Sequence, residues 1–157
     1  MRERAVCIVL RNNKILFVQQ MVSGQLKHVF IGGGVEDNET PQAAALRELE
    51  EEANVKGEIV FGSAIIETNM KEHIFIVSIP EDAQPALGHD PELPLDKQDI
   101  KSLIWRDTIE EIGHFNESDC EFFQAIIDEG RKNNINESWI DILEKIILHN
   151  TRKKALN

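Results

Sequence analysis

The sequence predicts an α+β fold in one domain, on three observations. Short apolar runs separated by turn residues fill most of the first 105 positions, as strands do. From about residue 118 the apolar spacing becomes helical instead. The 157 residues, 41% of them hydrophobic, suit one core of ordinary size, and no repeat, low-complexity tract or linker divides them.

Taken in order, Arg4 to Arg11 encloses the run Ala-Val-Cys-Ile-Val-Leu, which predicts a buried strand. Asn12-Asn13 signals a turn, and Lys14 to Gln20 is the returning strand. Met21 to Lys27 reads as a polar loop with Gly24. His28-Val-Phe-Ile31 reads as a short strand running into Gly32, Gly33 and Gly34. Thr40-Pro41 opens a helix, with Thr as N-cap and Pro in the first turn. Ala43, Ala44, Ala45, Leu46 and Leu49 carry that helix to about Ala53, where Asn54 suits a left-handed end. Residues 57–67 and 73–79 predict two strands around the polar stretch 68–72. Pro80 to Pro94 reads as irregular loop and Ile100 to Trp105 as a strand. Ile109–Ile112 is briefly helical, and Asp119–Glu129 and Glu137–His149 are helices with Phe122, Phe123, Ile126, Ile127, Trp139, Ile140, Leu143, Ile146 and Ile147 inward.

Charge narrows the functional classes. Asp and Glu number 28 against 17 Lys and Arg, a formal net charge of −11. Such a chain repels an extended nucleic acid unless its bases are segregated, and only Arg152, Lys153 and Lys154 cluster, in a tail expected to fray. No apolar run approaches the ~20 residues of a membrane span, and no cleavage pattern follows the apolar start. Cys7 and Cys120 suggest no disulfide framework, so a reducing cytoplasm is the plain expectation. The acidity is concentrated: Glu36 to Glu52 holds seven acids against one base, Arg47. That segment supplies six of the eleven net negative charges.

The chemistry candidate lies in the same segment: Gly33-x5-Glu39-x7-Arg47-Glu48-Leu49-x-Glu51-Glu52-x-Asn54-Val55. At about 100° per residue, Glu51 and Glu52 fall roughly 300° and 400° beyond Glu48, so the three share a sector about 100° wide. Clustered hard oxygens on one rigid surface are what Mg²⁺ or Mn²⁺ requires. A solvated acidic face is the competing reading, because like charges three or four apart cost only about 0.2–0.5 kcal/mol per pair. Three consecutive glycines shift the balance, since glycine is used where backbone turns tightly or approaches another group.

These residues resemble the Nudix box, G-x5-E-x7-R-E-U-x-E-E-x-G-U with U aliphatic. Gly33, Glu39, Arg47, Glu48, Glu51 and Glu52 match six of its seven fixed positions, and Leu49 and Val55 match both aliphatic ones. Asn54 stands for the last glycine, Ile31 for a common proline, Asn38 for a common glycine, and His28 for a common aromatic. The resemblance implies an α/β/α sandwich with a mixed β-sheet, extended here by C-terminal helices over about 118–150, the whole chain 1–157 forming a single domain.

It also implies metal binding by Glu48, Glu51 and Glu52 with a carbonyl near Gly32 or Gly33, and a brace between Arg47 and Glu39. The implied activity is metal-dependent hydrolysis of a diphosphate linkage in a nucleoside diphosphate joined to another moiety. Mg²⁺ or Mn²⁺ is the implied cofactor, with Glu52 or Glu48 activating the water. Glu92, Glu110 and Glu111 are further candidates for that base. His28, Gln19 and Phe30 are candidates to line a substrate pocket, His73 and His89 to touch substrate, and Asp90-Pro91-Glu92 to form a lid. The alternative function is a non-catalytic nucleotide- or partner-binding module, which does not require all three glutamates. Residues 118–149 also offer Phe122, Phe123, Ile126, Trp139 and Leu143 to a second subunit as in a homodimer, although covering the domain's own sheet explains that face equally well.

Overall fold

A computed structural model describes residues 1–88 and 101–156. The expectations placed on His89, on Glu92 and on the Asp90-Pro91-Glu92 segment lie outside these residues. Six strands, β1 (Arg2–Arg11), β2 (Lys14–Val22), β3 (Gln25–Gly34), β4 (Glu58–Glu67), β5 (Met70–Ser78) and β6 (Lys101–Asp107), form one sheet in the order β4-β5-β1-β3-β2-β6. The β1–β5 pair is parallel and the others are antiparallel, so the sheet is mixed. Helix α1 (Pro41–Ala53) covers one face; α2 (Glu117–Lys132) and α3 (Ser138–Ala155) cover the other. No helix among the described residues is long and apolar enough to cross a membrane.

Alternation explains the two cores. Ala5, Cys7 and Val9 of β1 and Phe75 and Val77 of β5 pack towards α1 with Ala44, Ala45 and Leu49. Ile8, Ile74 and Ile76 pack the other way, against Phe123, Ile126, Trp139 and Leu143. Strands buried on both faces need apolar residues at every position, which is why β1 reads as a continuous run. Phe123, Ile126, Trp139 and Leu143 are at most 4% exposed, so the face offered to a second subunit is spent on the domain's own sheet.

Two hairpins extend beyond their predicted limits. Asn12 and Asn13 both have positive φ, 51° and 62°, the backbone of a tight primed turn. Ser23 (φ 51°) and Gly24 (φ 78°) make a second such turn, so the expected loop 21–27 is instead paired strand, Gln20 opposite Lys27 and Met21 opposite Leu26. Strand β1 pairs with β2 at Val9–Arg11 and with β3 at Arg4–Cys7, so the β2–β3 hairpin branches sideways from β1, with β6 along its outer edge.

The α2 side of this arm is locked by a buried polar pair. His28 stacks on Phe17 (centroids 4.1 Å apart), and its Nε2 lies 2.7 Å from Asp119 Oδ2. Arg106 Nε donates to Nδ1 (3.4 Å), which leaves Nε2 to donate to Asp119. Asp119 also completes the α2 capping box, accepting from Asn116 N (3.0 Å) while its own N–H donates to Asn116 Oδ1 (2.8 Å). Asp119→Ala removes the acceptor of Asn116 N in the capping box and orphans a buried imidazole N–H, so it should cost about 2–4 kcal/mol in a denaturant titration. The pair faces away from α1, so the loss should be confined to stability and leave the α1 side of the sheet unchanged.

The basic tail does not fray: Arg152, Lys153 and Lys154 form the last turn of α3. Cations there complement the helix dipole, and Lys154 pairs with Glu117 of α2.

Candidate active site

Helix α1 is set by its ends. Thr40 accepts a hydrogen bond from Ala43 N (3.1 Å), Pro41 occupies the first turn, and Asn54 closes the helix in the left-handed region (φ 56°, ψ 36°). Its last carbonyls are satisfied from the following loop: Ala86 N donates to Ala53 O (2.9 Å) and Gly88 N to Glu52 O (3.0 Å). A Cβ on Gly88 would overlap the Glu51 carbonyl, so only glycine brings that loop down onto the helix end.

With Ala44, Ala45, Leu49 and Ala53 buried against the sheet, Glu48 and Glu52 flank the contact with β3. Glu52 Oε1 accepts from Gly32 N at 3.2 Å. A Cβ on Gly33 would fall on the Glu48 carboxylate, and one on Gly32 would fall on the Ala5 carbonyl. The glycines are therefore strand residues, paired with β1, whose missing side chains admit Glu48 on one side and β1 on the other.

Arg47 knits the loop to the helix. Its Nε and Nη2 reach the two Glu39 oxygens at 2.8 and 3.0 Å, and Nη2 also donates to Gly34 O (2.9 Å). Nη1 donates to Glu48 Oε1 at 2.9 Å and to Glu51 Oε2 at 3.3 Å. Glu39 in turn accepts from Glu36 N (3.0 Å). The Arg47 hydrogen bond holds the Glu39 carboxyl below its ordinary range.

Glu48 and Glu52 are shifted the opposite way. Burial raises Glu48 despite its bond to Arg47. Burial pushes Glu52 up to about 7; the Gly32 N–H opposes this, Glu48 reinforces it, and the charges of Lys101 and Arg4 counter it. Desolvation is what raises both carboxylates.

The predicted residues are thus partly assembled. Gly33, Glu48 and Glu52 meet at the β3 edge of α1, and Glu39 and Arg47 meet beside them, while Glu51 is exposed on the Arg47 side. Among the described residues, no three His, Cys, Asp or Glu side chains group closely enough to enclose a metal ion. The donor chemistry nevertheless fits a divalent cation: hard carboxylate oxygens, those of Glu48 and Glu52 half-buried beside glycine backbone. Glu48 and Glu52 would hold it, with Glu51 once released from Arg47.

Other candidates stand elsewhere. Glu111 pairs with Arg106 (2.7 Å) on the α2 side, and Glu110 follows the far end of β6, so neither joins the α1 carboxylates. His73 pairs with Glu3 (2.8 Å). Gln19, His28 and Phe30 do not line a pocket on the α1 face. Gln19 lies by Ser102, His28 by Asp119, and Phe30 against Phe122 and Phe123, all on the α2 face. The α1 face of the arm carries the alternate residues Val18, Gln20, Lys27 and Val29 instead. Sequence reasoning missed Lys101, whose charge counters the rise of Glu52 and whose place depends on that phase.

The NUDIX domain family matches residues 1–112. The chain is 31% identical over 86 residues to the diphosphoinositol polyphosphate phosphohydrolase 3-alpha of Mus musculus, covering 51% of this chain and 52% of that protein. It therefore spans about half the length of the curated relatives it matches. A NUDIX-family hydrolase from Clostridium perfringens superposes with a TM-score of 0.55 at 14% identity, over 93% of this chain and 95% of that one. A bifunctional NMN adenylyltransferase/ADP ribose pyrophosphatase from Francisella tularensis gives 0.61 at 18% identity, over 82% of this chain and 41% of that one. These structural likenesses bear on the fold.

Proposed function

The chain belongs to the Nudix hydrolase family, and on that premise we propose that it hydrolyses a diphosphate linkage in a small phosphorylated substrate with the help of Mg²⁺ or Mn²⁺. The observation that carries the reading is the placement of Glu48 and Glu52, half-buried and side by side against glycine backbone. A carboxylate oxygen held there and not engaged by the cation can accept a proton from the attacking water.

The reaction forms one bond from water oxygen to phosphorus and breaks one bridging P–O bond. The water's proton goes first to Glu52 and then to solvent or product. A divalent cation, when bound, offsets phosphate charge and acidifies the attacking water. Arg47 acts by position: its bonds to Glu39 and Gly34 fix the glycine strand against α1, and its Nη1 holds Glu48.

The test is turnover with Mg²⁺ or Mn²⁺ against nucleoside triphosphates, nucleotide sugars, ADP-ribose, dinucleoside polyphosphates and diphosphoinositol polyphosphates. The relatives' names make the last class and ADP-ribose natural members of that panel. Release of phosphate-containing products from at least one class is expected. Binding without turnover of any class, by folded protein in metal, would replace the hydrolase with the binding module.

A further inference from the structure

Arg11 ends β1 on the α1 side of the sheet, two positions beyond Val9. Its guanidinium lies over the Trp105 ring, 4.9 Å from the centroid, which holds the side chain on the sheet. From there Nη1 donates to three carbonyls of the loop that follows β5: Pro80 O (3.0 Å), Glu81 O (3.3 Å) and Ala83 O (2.8 Å). Those oxygens converge because the chain turns, with Ala83 N donating to Pro80 O (3.0 Å). Ala83 itself packs in the α1-side core with Trp105. An ionised donor makes such bonds stronger than a neutral one would.

The other end of the same loop holds the end of α1. Of the last four carbonyls of the helix, Glu50 O is taken by Asn54 N, Glu52 O by Gly88 N and Ala53 O by Ala86 N. Gly88 rests on the fourth, Glu51 O, with no room for a Cβ. Gln84 and Pro85 alone separate Ala83, where Arg11 is anchored, from Ala86, a link of at most roughly 10 Å. Pro85 has a fixed φ and restrains Gln84, so the link has little slack. Glu52 sits in that last turn, where helices fray, and its carboxyl is tied to β3 by a long bond, 3.2 Å from Gly32 N.

Building on the hydrolase reading of this site, we propose that Arg11 is a positioning residue for Glu52. Its guanidinium is engaged by carbonyls and an indole ring, so it acts through the loop and not on the reacting atoms. By pinning three carbonyls it holds residues 84–88 against the end of α1. That fixes the last helical turn, and with it the direction from which Glu52 meets the attacking water. A displacement of about 1 Å at such a group can cost about 100-fold in rate.

The experiment reads the fold and the reaction separately. Arg11→Met keeps a stem over Trp105 and removes the donors. In hydrogen exchange followed by mass spectrometry, it should raise exchange about tenfold or more in residues 80–88 and the last turn of α1, with α2 and α3 unchanged. In steady-state kinetics it should lower kcat by about 10- to 100-fold with KM little changed. Arg11→Lys, which keeps a cationic donor, should recover most of the loss. Gly88→Ala lifts the other end of the loop without touching Arg11, so it should match Arg11→Met. The double variant should then be no worse than either single one, because both release the same loop. Losses that multiply in the double variant, a kcat for Gly88→Ala equal to wild type, or exchange that stays unchanged in residues 84–88 overturn the proposal. So does exchange that rises equally in α2 and α3. Faster exchange confined to the loop and the end of α1, with no turnover by wild type of any substrate class, would sustain the anchor and refute the hydrolase reading alone.

Discussion

Replacing Glu52 by Gln should lower kcat by about 10²- to 10⁴-fold, the range associated with a positioned general base or a group stabilising the transition state. KM should move little, because the proposed role of Glu52 is toward the attacking water and not toward the remainder of the substrate. Gln keeps the shape and the acceptor for Gly32 N, so the circular dichroism spectrum should match wild type. Glu51→Gln should be milder, since Glu51 is exposed and bonded only to Arg47. Steady-state kinetics on the three proteins checks the order. Equal loss at Glu51 and Glu52 would mean that burial does not single out the working carboxylate.

The second large effect is on stability without metal. Glu52 has a folded-state pKa of about 7 against an unfolded value of 4.5. Folding therefore favours its protonated form. The stabilisation this gives is complete below the unfolded value and is lost as pH rises through the folded one. Between pH 4.5 and 8, in chelator, wild type should lose on the order of 3 kcal/mol relative to Glu52→Gln, in which the titration is absent. Urea midpoints at the two pH values measure this double difference. Added Mg²⁺ or Mn²⁺ should restore wild type at pH 8, because a cation binds only where Glu52 is ionised. A difference between the proteins that does not vary with pH would show that burial of Glu52 is not what shifts it.

How much of this was legible in the sequence follows from how local each signal is. Thr40, Pro41 and Asn54 set the ends of α1 through their own backbones, and the helix lies where they place it. The spacing of Glu48 and Glu52 puts both on one helix edge for the same reason. The glycines were legible as a close approach, but not as strand. Their pairing with Arg4–Val6 is a long-range contact, and Gly33 yields to a carboxylate on another element. Residues 21–27 are polar enough to read as loop, yet two positive-φ residues at Ser23-Gly24 keep the chain paired through them.

The phase of the arm was the larger loss. A shift of one residue moves every side chain to the other face, and nothing local says whether His28 or Lys27 looks towards α1. The answer comes from Asp119 on α2, which takes His28, and from Val18 and Ile31, which pack beneath α1. The basic C-terminus was misread for a related reason: its cations are unremarkable alone and favourable once they end a helix that reaches Glu117.

The proposed chemistry is the cutting of a diphosphate by the α1 carboxylates with a divalent cation. Phosphorus-31 NMR of the full chain with a diphosphate-containing substrate, first in EDTA and then in excess Mg²⁺, tests it most directly. The coupled diphosphate resonances should persist in EDTA, give way to monophosphate signals when Mg²⁺ is added, and persist again when Glu52→Gln replaces wild type. Diphosphate signals that decay as fast in EDTA as in Mg²⁺, or as fast with Glu52→Gln as with wild type, would contradict it.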